Sequence, residues 1–369
     1  MLITLLLSAA LAFEATEALT DDLKDGGGID VERPEAHGII NGEDATIDNY
    51  PMTGGLIFKG YIDMGSYGAG NMFTFMCSST LIAPDVVILA AHCVDPDALT
   101  YGGMGTVSDI EYGWTRQADL TEWASDTPPS GWPADTAHAK AWVTHPSWDM
   151  NALQVGLHEN FDVALVFLEE PLFDVPLGTL ITEEESHQIA LNNEVDVVGW
   201  GQQTATSGWD PPPAGTFALK QWGTSYIAQL DAAEYQVGRI ESDVRKCHGD
   251  SGGPSFMEVD SSSRESMRLI GVTSHAYDNT DCSQTGGVDT RIDHYLDWID
   301  AEMQARCADG TRSWCDQPGI LAPPMGVSDS WAEVGTSDWE PKGGCSTLPV
   351  GAIGAWGLGL LGLIRRRRA

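Results

Sequence analysis

Residues 244–254 read VRKCHGDSGGP. Ser251 follows an acid and stands in a run of glycines, with a cysteine and two basic residues just upstream. Glycine lets the backbone take a tight shape that aims successive N–H groups at one point. The N–H groups of Gly249 and Ser251 are therefore candidates for an oxyanion hole beside a nucleophilic hydroxyl. Alone, such a stretch fits an ordinary glycine-serine turn equally well. Acyl transfer by serine also needs an imidazole to take its proton and an acid to hold that imidazole in the right tautomer.

Two upstream stretches offer those groups. LAAHC (89–93) places His92 at the end of an apolar run, beside Cys93, and FDVALV (161–166) places Asp162 at the start of another. Taken singly, His92 fits a satisfied core residue and Asp162 a strand-entry or capping residue. Taken with GDSGGP, they complete the set. The order His, Asp, Ser and these three motifs resemble the chymotrypsin/trypsin-like serine protease family. IINGEDA (39–45) is similar to that family's mature N-terminus, CSSTLIAPDVVILAAHC (77–93) to its first disulfide-closed segment, and VVGWG (197–201) and YLDWI (295–299) also have counterparts. The resemblance spans about residues 39–303.

It implies an all-β fold of two six-stranded antiparallel barrels with a C-terminal helix. His92 becomes general base and then acid, Asp162 its orienting partner, and Ser251 the nucleophile. Gly249 and Ser251 supply the oxyanion donors. Asp250 is expected to pair with the free amine of Ile39 once a pro-segment is cut. Disulfides Cys77–Cys93 and Cys247–Cys282 are implied, and no cofactor or metal is. The α/β-hydrolase elbow, G-x-S-x-G, also matches GDSGG, but it requires a helix after the serine and an Asp and His downstream of it. No helical period follows Ser251.

The sequence departs from the family in two places. Gly38 precedes Ile39, so an activating protease that cuts after Arg or Lys is not expected there; Arg33 is followed by Pro34. At the pocket floor, six residues before the nucleophile, basic-specific members carry Asp and this chain carries Arg245. A buried guanidinium would reject Lys and Arg side chains and attract a carboxylate. Ser274 and Asp289 fall on segments that line the family's pocket. Asp289 could pair with Arg245 or recognise a base itself, and Arg245 could point to solvent; these alternatives stay open.

The rest of the chain is read from pattern. EVDVVGWG (194–201) and RLIGVTS (268–274) join 85–93 and 161–168 as candidate buried strands, each bounded by turn residues. Residues 102–138 and 202–216 read as long polar loops, the first a Trp-, Pro- and Gly-bearing insertion. Ile292, Tyr295, Leu296, Ile299 and Met303 share one face at helical spacing.

With 54 acidic against 19 basic residues the net charge is −35, which argues against nucleic-acid binding. Residues 1–12 (MLITLLLSAALA) fit a signal peptide with an A-x-A end, and 13–38 a polar pro-segment. The protease domain is expected over 39–305, followed by a Gly/Pro/Ser/Asp-rich linker over 306–344, stapled by Cys307 and Cys315. The tail 345–369 carries Cys345, an apolar run over 348–364 and four arginines. It resembles the MYXO-CTERM sorting signals of some Gram-negative bacteria; a plain membrane anchor is the other reading. The expectation is an exported endopeptidase at the cell surface or released from it. Its partners would be protein or peptide substrates, an activating protease and sorting machinery. The competing expectation is a catalytically silent binding protein on a protease scaffold.

Overall fold

The computed structural model describes residues 38–320, apart from 101, 205–211, 214, 262–265, 279–281 and 283. The expected signal peptide, most of the expected pro-segment and the tail with Cys345 lie outside the described residues. Among those described, no helix is long and apolar enough to cross a membrane.

The runs at 85–93 and 161–168 are apolar at nearly every position because their strands are buried on both faces. Strand β4 (Val86–Leu89) and strand β7 (Ala164–Leu168) pair antiparallel. Successive side chains alternate between faces. Val87, Leu89, Ala164, Val166 and Leu168 point into one core with Leu56, Phe58, Tyr112 and Trp114. Val86, Ile88, Leu165 and Phe167 point into another, shared with Val198, Phe256, Leu269, Val272, Ile299 and Met303. Strands with cores on both sides cannot alternate polar and apolar residues.

The remaining strands are β1 (Glu43–Asp44), β2 (Thr53–Asp63), β3 (Ala69–Ala83), β5 (Thr106–Thr115), β6 (Ala137–Thr144), β8 (Glu194–Gly199), β9 (Gln221–Leu230), β10 (Glu234–Val237), β11 (Pro254–Glu258), β12 (Met267–Ala276) and β13 (Gly287–Arg291). The order β2-β3-β4-β7-β6-β5 closes as a barrel through β2–β5. The order β9-β10-β13-β12-β11-β8 closes through β8–β9, with β1 added on the outside of β9. Both barrels are antiparallel and six-stranded, and closure leaves few free strand edges. The C-terminal helix (Leu296–Ala308) lays Leu296, Ile299 and Met303 on the inter-barrel core, as its spacing predicts.

Two expectations from pattern need correction. The stretch 102–138 is not all loop, since it contains β5. Only the second half of β5 is buried, so its first half, with Ser108, Asp109 and Glu111, reads as polar. The insertion after it is anchored: Leu120 and Trp123 are buried against Ile57, Phe75, Trp200 and Ala218. Residues 306–320 are also folded rather than a linker. Arg312 and Asp85, both fully buried, pair at 2.7 Å, Trp314 N–H donates to Asp85, and Cys307 is disulfide-bonded to Cys315. Polar composition hides this segment because the buried Arg312–Asp85 ion pair and hydrogen bonds, more than apolar packing, tie it down.

Candidate active site

Register brings the histidine and the aspartate together. Leu89 of β4 lies opposite Ala164 of β7. His92, three residues after Leu89 in a 3₁₀ turn, therefore meets Asp162, two residues before Ala164. The Asp162 carboxylate is fully buried and takes three donors. His92 Nδ1 lies 2.8 Å from Oδ2, the His92 backbone N–H donates to Oδ1 at 2.9 Å, and Ser274 Oγ donates to Oδ2 at 2.6 Å. Thr290 Oγ1 anchors the Asp162 carbonyl at 3.0 Å. Burial would raise the Asp162 pKa, but His92 and these hydrogen bonds hold it below the usual carboxylate value. Burial pulls His92 down, and the Asp162 charge and hydrogen bond outweigh it, leaving His92 above the usual histidine value. With Nδ1 held by Asp162, Nε2 is the atom left to accept a proton.

The serine turn is stitched to both barrels. Ser78 of β3 donates through its N–H to the Ser251 carbonyl at 2.9 Å and through Oγ to the Gly249 carbonyl at 3.0 Å. On the other side, Gly252 N–H donates to the Thr273 carbonyl at 2.8 Å. Two glycines are required. Gly249 has φ +91°, and a Cβ there would meet Phe217 at 2.6 Å; Gly252 has φ +75°, and a Cβ there would meet the Ser78 carbonyl at 2.5 Å. The Gly249 and Ser251 N–H groups have no hydrogen-bond partner among the described residues, as free oxyanion donors require.

Asp250 is fully buried; its carboxylate accepts from Gly201 N–H and Cys247 N–H, each at 2.8 Å. Burial outweighs those bonds and pushes its pKa up to about 7. Ile39 is buried beside Val195, Val197 and Ile227 and has φ +41°, a strained value for a β-branched residue. No Ile39–Asp250 ion pair is present in the continuous chain among the described residues.

The pocket residues are arranged differently from the alternatives the sequence leaves open. Asp289 pairs with Lys246, not Arg245. Lys246 Nζ lies 2.7 and 2.9 Å from the two Asp289 oxygens and donates to Ser255 Oγ at 2.8 Å, with both side chains of the pair fully buried. Arg245 does not point to solvent; it is 1% exposed. Its guanidinium donates to two neutral carbonyls, Cys282 at 2.7 Å and Glu241 at 3.1 Å, and its Nε has no partner among the described residues. Ser274, expected at the pocket, donates to the Asp162 carboxylate. Cys77–Cys93 and Cys247–Cys282 are disulfides. Sequence reasoning missed Lys246 and His275. A lysine beside a pocket cysteine, with an unexplained acid inside the apolar strand GVDTR, was the available signal for the first.

Two closed six-stranded antiparallel barrels with one C-terminal helix define the class: a chymotrypsin-like fold. Residues 39–299 match the family model described as trypsin, and the chain belongs to that family. It is 27% identical over 274 residues to a trypsin of Saccharopolyspora erythraea, covering 72% of this chain and 99% of that one. It is 27% identical over 257 residues to melanization protease 1 of Drosophila melanogaster, covering 64% of this chain and 60% of that protein. It is also 27% identical over 244 residues to chymotrypsin-like elastase family member 1 of Canis lupus familiaris, covering 63% and 83% respectively.

Proposed function

We propose that this chain is an exported serine endopeptidase, made as a zymogen, that cleaves protein substrates through an acyl-enzyme. The observation that carries the reading is the buried Asp162 carboxylate, gripped by His92 and Ser274 beside a glycine-bracketed serine with two free N–H donors. Ser251 Oγ attacks the scissile carbonyl carbon while His92 Nε2 takes the hydroxyl proton. The Gly249 and Ser251 N–H groups hold the oxyanion. His92 then passes the proton to the leaving amine, and water, activated by the same ring, hydrolyses the ester. Fluorophosphonate labelling of the matured protein tests this: labelling abolished by Ser251→Ala is expected, and labelling that survives it would sink the reading.

Cutting before Ile39 would free an amine for the buried Asp250 carboxylate and relieve the strain at φ +41°. Mass spectrometry of the mature N-terminus checks the cut. Processing near Cys345 in the tail is proposed on resemblance alone, and the mature C-terminus decides it.

The side chain before the cut bond is proposed to be non-basic. Asp289 is occupied by Lys246, and the Arg245 guanidinium donates to backbone carbonyls rather than to Asp289. The charges of Glu241 and Asp243 favour the Arg245 cation, and the Asp243 carboxylate is held by Arg239 N–H, Ile240 N–H and Tyr226 OH. A substrate Lys or Arg would meet the buried Arg245 cation, with Asp289 already paired to Lys246. Cleavage of a peptide library checks it; cutting only after Lys or Arg overturns it.

A further inference from the structure

Strand β12 has a bulge at Ser274. Thr273 lies opposite Asp289 and His275 opposite Val288, so β12 carries one extra residue there. Bulges re-aim side chains, and here they bring two consecutive ones together: His275 Nδ1 lies 2.9 Å from Ser274 Oγ. The other ring nitrogen, Nε2, lies 3.1 Å from the Gly156 carbonyl. Ser274 in turn donates to Asp162 at 2.6 Å. A polar chain therefore runs from the Asp162 carboxylate, through Ser274 and His275, to the loop that precedes Asp162. That loop is also tied at Gly156 N–H, which donates to the Tyr277 carbonyl at 2.8 Å.

Counting protons along this chain decides what His275 does. A serine hydroxyl has one donor, an ionised carboxylate none and a carbonyl none. The Ser274 proton goes to Asp162, the shorter and charge-assisted bond. Ser274 Oγ then faces Nδ1 as an acceptor, and the Gly156 carbonyl faces Nε2 as an acceptor. Both positions need an N–H. A neutral imidazole has one and an imidazolium has two. Either neutral tautomer opposes a lone pair to a lone pair at one end.

We propose that His275 is a proton-linked positioning residue: its imidazolium bridges Ser274 to Gly156 and braces Asp162 against the loop, and loss of the proton releases one end. Its catalytic meaning rests on the triad reading; its chemistry does not. The groups facing the ring are His92 and Asp162 across Ser274, and His158 in the loop. Behind the loop, Glu234 on β10 accepts from His158 N–H and Asn160 Nδ2. Burial is the largest influence and holds His275 below the usual histidine value; the Gly156 bond and the Asp162 charge favour the cation, while His92 and His158 oppose it. The bridge therefore closes only on acidification below the ordinary histidine range.

Ring ¹⁵N NMR of the Ser251→Ala protein tests this without requiring activity. Acidification is expected to protonate both His275 nitrogens and to move the Gly156 amide resonance with the same midpoint. Ser274→Ala and Asp162→Asn should each lower that midpoint by about half a pH unit, a roughly threefold loss of proton affinity. A midpoint indifferent to both, or a Gly156 amide that ignores the titration, overturns the proposal. In the active enzyme, His275→Phe should delete one ionisation from the pH profile of KM and leave the His92 limb of kcat; an unchanged KM profile also overturns it. Absence of all Ser251-dependent activity would instead remove the triad reading and leave the NMR result standing.

Discussion

Lys246 and Asp289 illustrate what a single buried charge demands. Each side chain is fully buried, and each neutralises the other. Removing one partner leaves an uncompensated charge, so Lys246→Met is expected to destabilise the protein by about 3–5 kcal/mol. Lys246→Met combined with Asp289→Leu should recover most of that, because a well-packed apolar pair can replace a buried ion pair. Urea unfolding of the three proteins measures both. At His92 the sign follows from its proposed role as base: a base works only when neutral, and its pKa is raised. The acid limb of kcat/KM is therefore expected above the usual histidine value. Asp162→Asn should cut kcat on the order of 10⁴-fold, a magnitude set by the same change in the chymotrypsin-type triad. The pH profile of a chromogenic peptide checks the first and its turnover the second. The pairing of His92 with Asp162 was legible because each sits in a short motif, and Ser251 stands in a third. Lys246, Ser274 and His275 were not, because their partners lie on strands distant in sequence and one is set by a bulge that no local pattern marks.

At the scale of elements, the runs legible in the sequence were those with two buried faces. Strands β4 and β7 could be read directly, and they are the two that deliver His92 and Asp162. Strand β5 escaped notice because half of it is solvated. The segment after the helix escaped for a different reason: Arg312 holds it down by pairing with Asp85 and by donating to the carbonyls of Gln317 and Pro318. Arg312→Ala would leave the fully buried Asp85 carboxylate without its cation. A loss of about 3–5 kcal/mol is expected, read as a lowered denaturation midpoint with Ser251→Ala blocking self-digestion. A midpoint unchanged from the parent would mean that the segment contributes no stability to the first barrel.

For the molecule as a whole, the proposed maturation is expected to be linked to pH through Asp250. Its pKa in the continuous chain is about 7, against about 3.9 for an unperturbed aspartate. Between those values the native state holds a proton that the unfolded chain has released. Stability of the uncut protein therefore falls as pH rises across that window, by up to roughly 4 kcal/mol. Asp250→Asn should remove the slope. Cutting before Ile39 should also flatten it, since a buried ammonium favours the ionised acid. Thermal unfolding of cut and uncut Ser251→Ala protein from pH 4 to pH 8 measures this; parallel curves would contradict the proposed Ile39–Asp250 pair. The two-barrel architecture was legible in the sequence through resemblance, whereas pattern alone gave an all-β body, barrel or sandwich, with a closing helix.

The histidine and aspartate hang from one barrel and the serine from the other, with Ser78 reaching across between them. On the proposed triad reading, turnover is thus an assay of assembly. Any loosening between the halves would silence the protein while each half kept its strands. Heat or mild denaturant is expected to extinguish hydrolysis before circular dichroism registers any loss of sheet, and recovery on cooling would time the re-docking of two intact pieces.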